Sequence, residues 1–437
     1  MSDHEADIEE RLNRHPILKN RIESLLNLVE NTTGDIDIAD VAEFRVIDEV
    51  RLMGNEIMHE QVSEREAVKA EELRRDNENI VGHGKKKIYR HTTFGTITVF
   101  ERVFLLEGHL IRPFSGTAEV TCRSYSQPLQ RRVTDFGADV PFGKVSEKFR
   151  ECYGINVPYS AARDITETHA DKIENNLILR TSVPEVPGAE CIITEADGTT
   201  VPIADISDVT TSGETAGRRK TRKCRWKEAR LTLAHPEGSM HPVFGCTPGS
   251  PYDTGDRLLC CAIRSGLGLE TTVHCVGDGA PWIAGWSERV FGTGFLIDFY
   301  HLCDYLSAAS KTCAPDAHKA FFKKLKPLMK DSQVSAVTEL LNPFAEPDSV
   351  PDDKAPVRCC IRYMTDRPDQ SDYKGALEKG LPIGSGEVES AHRYIIQDRL
   401  KIAGAWWKED NAQNMISLRI LRANGDWEDY QEKNKAA

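Results

Sequence analysis

No stretch of the 437 residues approaches the roughly 20 consecutive apolar positions that span a bilayer. The first thirty residues are polar and charged, without the apolar core of a secretory leader. The sequence therefore predicts an intracellular, cytoplasmic protein with no membrane partner. Repeats and low-complexity tracts are also missing, and 31 Gly and 21 Pro are ordinary numbers, which excludes collagen-like and largely disordered chains. Twelve cysteines are present, yet no Cys-x-x-Cys pair occurs. Cys260–Cys261 and Cys359–Cys360 are adjacent, too strained a spacing for a routine zinc knuckle. The expectation is reduced, partly buried thiols and no structural zinc.

The net charge of −12 has the wrong sign for a nucleic-acid protein until it is located. Residues 1–80 hold 21 acids and 10 bases, a net −11, which leaves −1 for residues 81–437. Within that balanced remainder lie basic clusters. Gly84-Lys85-Lys86-Lys87 is one. The stronger runs from Arg218 to Lys227, with Arg218, Arg219, Lys220, Arg222, Lys223, Arg225 and Lys227 supplying seven cations in ten residues around Trp226. Such a run attracts phosphates, and an indole in it can stack. A solvated basic face has the same composition.

Periodicity divides the chain. Residues 1–80 read as an acidic helical region: Ile17, Leu18, Ile22, Leu25, Leu26 and Val29 recur at helical spacing, Asn31-Thr32-Thr33-Gly34 breaks the run, and Asp48 to Arg75 resumes it. Residues 81–185 combine a Thr- and aromatic-rich hairpin, His91–Phe100 and Arg102–Leu106, with helices over Val145–Tyr153 and Ala161–Leu177. Pro184 and Pro187-Gly188 mark a boundary near 185. Strands are predicted at Cys191–Gly198, Trp226–Ala234, Met240–Cys246, Thr271–Asp278 and Gly294–Phe299, with helices at Asp256–Ser265 and His301–Lys311. This β-β-β-α-β-α-β-α order matches an RNase H-like core, a mixed sheet flanked by helices, over 186–311. A charged helical insertion follows over 312–380, and helices of 381–437 complete the core.

Two acids sit at matched places. Asp197-Gly198 ends the first of these strands and Asp278-Gly279 the fourth. On adjacent strand ends, both carboxylates project into one crevice, a donor set that suits Mg²⁺. Taken singly, each Asp-Gly is also a common turn dipeptide. A third acid is expected on a later helix, and Gly384–Arg393 opens one with Ser385 as its cap. Glu387 and Glu389 lie roughly 200° apart on that helix, so one of the two faces the crevice. Acids near a helix start also offset its dipole.

The segments Glu195-Ala196-Asp197-Gly198-Thr199, Trp226-Lys227-Glu228, Val276–Ile283, Asp298-Phe299-Tyr300-His301-Leu302 and Ile383-Gly384-Ser385-Gly386 with Val388-Glu389-Ser390 occur in this order. In them the chain resembles the ISKra-type bacterial insertion-sequence transposases, of the DDE class and related in pattern to Mutator-like enzymes. A weaker resemblance, through Thr92–Ile97 and Ser126–Gln130, extends it over most of residues 90–420. The resemblance implies a catalytic triad of Asp197, Asp278 and Glu389, with Glu389 favoured because the family's glutamate follows an aliphatic residue. Asp298-x-x-His301 resembles the Mutator-like Cys/Asp-x-x-His signature, which implies an accessory role for Asp298 and His301 in orienting DNA or tuning a ligand. Relatives often carry Cys-x-x-Cys pairs around the hairpin; here Ile80–His91 and Leu105–Phe114 contain no cysteine.

The implied chemistry is cleavage and strand transfer at insertion-sequence ends by two Mg²⁺ or Mn²⁺ ions. The partners would be terminal inverted repeats and target DNA, bound near the nucleoid, with residues 81–185 as the end-binding domain and a homodimer or larger assembly pairing two ends. Two other readings compete. One is a transposase-derived DNA-binding regulator without activity. The other is a hydrolase using Cys275 or Cys303 with His274 or His301, although neighbouring strand residues such as His274 and Cys275 point to opposite faces. Trp406-Trp407 reads as core packing, with base stacking as the alternative.

Overall fold

The computed structural model describes residues 3–30, 39–117, 124–206 and 222–436. Among them no helix is long and apolar enough to cross a membrane. The chain is mixed α/β and divides into two compact units, residues 1–169 with 434–437, and residues 170–433.

The first unit opens with three helices, α1 (Asp3–Arg14), α2 (Pro16–Glu30) and α3 (Ala39–Asp76). The break expected at Asn31–Gly34 lies outside the described residues. A three-stranded antiparallel sheet follows: β1 (Val81–Thr92), β2 (Gly95–Leu106) and β3 (His109–Ile111). The hairpin is longer than its sequence signal because β1 starts in the exposed, bulged Gly82–Lys87 segment, which has no apolar alternation to announce it. Val62 of α3 packs on Ile97 and Val99 of β2 and on Phe114 of α4 (Pro113–Thr117). Helices α5 (Gln127–Asp139), α6 (Phe142–Tyr153) and α7 (Tyr159–Asn175) bury Leu129, Val133, Val145, Phe149 and Ile165 in one cluster. Ser126 caps α5, its hydroxyl accepting from the N–H of Leu129.

The second unit is built on a five-stranded mixed sheet. Its strands are β4 (Cys191–Ile206), β5 (Arg222–Pro236), β6 (Val243–Thr247), β7 (Thr272–Gly277) and β8 (Phe295–Ile297), ordered β6-β5-β4-β7-β8. The first three pair antiparallel; β7 joins β4 and β8 joins β7 in parallel. Parallel pairing needs crossovers, and helices supply them: α8 (Pro251–Arg264) precedes β7, and α9 (Pro281–Trp286) with a π-helical turn (Ser287–Phe291) precedes β8. A capping box of Ser250 and Asp253 starts α8. One sheet face packs Ile192, Ala196, Val273 and Cys275 against Leu259, Cys261 and Ala262 of α8 and Ile283 of α9. Gly255 lies directly beneath the Trp286 ring, where an added Cβ would fall 1.6 Å from a ring carbon. Gly255→Ala is therefore expected to destabilise this unit by about 1–3 kcal/mol in thermal denaturation.

On the other face, Val276 and Leu296 pack with α10 (Phe299–Cys313) and with a helical segment made of α11 (His318–Lys330), α12 (Val334–Leu341), α13 (Pro356–Thr365) and α14 (Tyr373–Glu378). The chain returns through α15 (Gly386–Ala391), a π-helical turn (His392–Gln397) and α16 (Asp398–Leu400), then α17 (Glu409–Ala423) and α18 (Trp427–Ala436).

Candidate functional site

The parallel ladder between β4 and β7 ends with Ala196 opposite Gly277. Asp197 and Asp278 are the next residues after that pair, so neighbouring strands, about 4.8 Å apart, deliver the two carboxylates side by side. The structure corrects one expectation here. Asp197-Gly198 is not a strand-ending turn: β4 continues to Ile206, paired with β5 throughout. Val201, Pro202, Ile203 and Ala204 are all buried and carry the strand onward. What ends at Asp197 is the partnership with β7. Asp278, by contrast, does leave its strand, and its Oδ1 accepts from the N–H of Ala280 at 3.0 Å.

The environments of the two acids differ. Burial pushes the Asp278 carboxyl up, the negative charges of Asp197 and Glu228 add to that, and the Ala280 N–H and His301 only partly offset it. Burial acts on Asp197 too. There the His392 imidazole, the Gly198 N–H and His301 outweigh it, and the net displacement is downward. His392, 3% exposed, places its Nε2 3.2 Å from Asp197 Oδ2. Neither ring nitrogen of His392 makes an aligned hydrogen bond among the described residues.

Helix α15 presents the third-acid candidates, and buried Val388 and Ala391 seat it on the protein. Both glutamates flank that buried face and are exposed. Glu387 reaches His235 Nε2 on β5 at 3.4 Å. Glu389 stands one turn before His392, within about 60° of it around the helix, whereas Glu387 is about 140° away. Neither joins the two aspartates in a ready-made cluster: no group of three His, Cys, Asp or Glu close enough to hold a metal ion occurs among the described residues. The donor set still fits a hard divalent cation in kind, since Asp197 and Asp278 are adjacent oxygen ligands whose mutual repulsion a cation would relieve.

Two further carboxylates hold α15 in place. Asp298, 4% exposed, caps α10 by accepting from the N–H groups of Tyr300 (2.6 Å) and His301 (2.9 Å) through Oδ1. Its Oδ2 accepts from the Ser385 N–H (2.6 Å) and hydroxyl (2.7 Å). Ser385 is thus not the side-chain cap expected from the sequence, because its hydroxyl is committed to Asp298. Glu195, two residues before Asp197 on β4, accepts from the Val388 N–H at 2.9 Å. Burial raises its carboxyl to about 8, against the pull of the Val388 and Glu387 N–H groups. His301 lies in the first turn of α10 and, with Asp278, lines a cavity of about 430 Å³.

No protein-family model and no curated protein matches this chain.

Of the basic run, Arg218, Arg219 and Lys220 lie outside the described residues, and Arg222 is described only as the first residue of β5. Lys223, Arg225 and Trp226 are exposed on that strand. Arg225 pairs with Asp205, and both Arg225 and Lys227 pair with Glu409 of α17. Part of the cation excess is therefore neutralised internally by a residue far along the chain. Trp226, 60% exposed, stands 6.3 Å from Trp406 between ring centroids. The core reading holds for Trp407, which is buried with its Nε1 donating to the Leu400 carbonyl, and fails for Trp406, which is 38% exposed.

The cysteine readings lose their chemistry. The Thr194 hydroxyl donates to Cys275 Sγ, and burial pushes that thiol up to about 12. His274 sits 2.8 Å from the Pro382 carbonyl instead. Cys303 is buried, and desolvation raises its thiol as well.

Sequence reasoning missed His392, Glu195, Glu228 and Lys401. Glu228 lies over Gly198, which has no side chain to exclude it, and pairs with Arg230. Lys401 Nζ donates to the Thr199 hydroxyl at 2.6 Å, beyond Asp197 on the same strand. The one local signal was His392 following Glu389 by three, a spacing that puts both on one helical face.

Proposed function

We propose that the second unit is a metal-dependent DNA strand-cleaving and strand-transferring enzyme, a DDE-type transposase with an RNase H-like core. The observation that carries this reading is the parallel register that sets Asp197 beside Asp278 at the end of the β4–β7 ladder. The strand order supports it: numbered within the sheet it runs 3-2-1-4-5, antiparallel then parallel, and ligands of open α/β sheets bind at the carboxyl ends of parallel strands.

In this reading Asp197 and Asp278 hold Mg²⁺ or Mn²⁺, which supplies the charge neutralisation that phosphodiester cleavage requires. The chain's own part is positioning. His392 orients the Asp197 carboxylate. Asp298 and Glu195 fix the turn that starts α15 and so set where Glu389, the third-acid candidate, stands. His301 adds an imidazole beside both aspartates, and Lys401 a cation beyond them.

Strand transfer is the property that separates a transposase from a simple nuclease. The test offers the full chain, with Mg²⁺, a duplex carrying the sequences that flank this protein's own gene, together with a supercoiled plasmid. Covalent joining of the duplex end to plasmid is the expected product. Binding without cutting would replace the proposal with a DNA-binding regulator.

The basic strand gives a second, quantitative expectation. Glu409→Gln frees Lys227 and leaves Arg225 paired with Asp205 alone, so duplex binding should tighten and its log–log salt slope should steepen by about 1. An unchanged slope in a fluorescence-anisotropy titration would remove these cations from the DNA interface.

A further inference from the structure

The cavity beside Asp278 has an unusual wall. Tyr305 of α10 stacks on Tyr363 of α13 at 4.2 Å and 15° between planes. The Arg367 guanidinium lies over the same Tyr363 ring at 4.6 Å, and its Nη2 donates to the Gly279 carbonyl at 2.8 Å. Tyr363 is therefore covered by Tyr305 and Arg367, and Tyr305, 39% exposed, offers the open aromatic surface. Gly279 permits this closeness: a Cβ there would sit 2.5 Å from the Tyr363 hydroxyl. Arg362 completes the rim, held by Asp352 at 2.7 Å. Tyr305 of α10, with Tyr363, Arg362 and Arg367 from the helical segment that follows it, thus brings an aromatic stack and two arginines to the loop that carries Asp278.

We propose that this cavity receives one unpaired nucleotide of a DNA strand, its base on Tyr305 and its phosphate toward Arg362 and Arg367. At about 430 Å³ the space falls in the range of small-ligand sites. A flat aromatic face accepts any base, and guanidinium groups match phosphate geometry. A base still paired in a duplex cannot enter a recess, so the nucleotide is one drawn out of the stack. Because Asp278 forms part of the cavity, that nucleotide neighbours the phosphate to be cut. The placement rests on the strand-cleavage reading; the nucleotide pocket itself does not.

The test uses the full chain without Mg²⁺ and a single-stranded oligodeoxynucleotide of mixed sequence carrying one 2-aminopurine, whose fluorescence is quenched on stacking. Wild type should quench it saturably. Tyr305→Leu keeps an apolar contact on Tyr363 but removes the aromatic face, and should weaken binding roughly 5- to 150-fold with loss of the quench. Tyr305→Phe should retain both. If Tyr305→Leu does not fold by near-ultraviolet circular dichroism, Cys359→Phe, which fills the cavity from another wall, should abolish the quench in its place. Wild-type-like quenching in Tyr305→Leu, or in a folded Cys359→Phe, overturns the pocket. So does a wild type that quenches free 2-aminopurine nucleotide but not the oligonucleotide. Tyr305-dependent quenching by a protein that joins no DNA would leave the pocket standing and remove the transposase reading. Joined DNA with Tyr305-independent quenching would do the reverse.

Discussion

Asp298→Ala is expected to lower the melting temperature by on the order of 10 °C or more, corresponding to about 3–8 kcal/mol. One buried carboxylate accepts four hydrogen bonds, two from the first turn of α10 and two from Ser385. Loss of a helix cap costs about 1–2 kcal/mol. The Ser385 N–H and hydroxyl would remain buried without an acceptor, adding about 1–3 kcal/mol for each such group. Asp298→Asn keeps one acceptor oxygen and should fall between alanine and wild type. Cleavage should fall further than the stability loss explains, because the Ser385 turn sets the position of α15 and with it His392 and Glu389. A melting temperature within about 2 °C of wild type would show that the turn is held by other contacts.

Asp278→Asn should separate stability from activity. Its carboxyl is raised by burial and then by the adjacent negative charge of Asp197, so the ionised form is held against repulsion. Asparagine has the same shape, can still accept from the Ala280 N–H through its carbonyl oxygen, and carries no charge. The variant is expected to melt at or above the wild-type temperature and to bind duplex DNA at least as tightly, a pattern typical of sites that hold like charges together for function. A clear drop in melting temperature would mean that Asp278 serves packing instead.

How far these features were legible depends on how local their causes are. The second sheet is readable because its strands are largely apolar runs bounded by turn residues, and the strand before Asp278 does end where the sequence places its end. The expected strand end at Asp197 is mistaken. Asp-Gly reads as a turn in isolation, but a continuous ladder with β5, Asp197 opposite Leu231, Gly198 opposite Arg230 and Thr199 opposite Ala229, keeps the backbone extended there. Ser385 looked like a cap because capping is a local rule, but a buried carboxylate 87 residues away claims its hydroxyl. Glu195 and Val388 meet across 193 residues, and no spacing rule reaches that far. The basic strand announced its charge locally and its neutralisation by Glu409 not at all. Fold class follows from periodicity, whereas the orientation of site residues follows from which helix lands on which strand.

The most direct test of the central claim is Mg²⁺-dependent nicking of the flanking duplex by wild type, Asp197→Asn and Asp278→Asn, with folding checked for each. The expected result is cutting by wild type that EDTA abolishes, reduced at least about 10³-fold in each variant at undiminished DNA affinity. Cutting at wild-type rates by either variant would contradict the assignment of the two register-matched aspartates as the reactive centre.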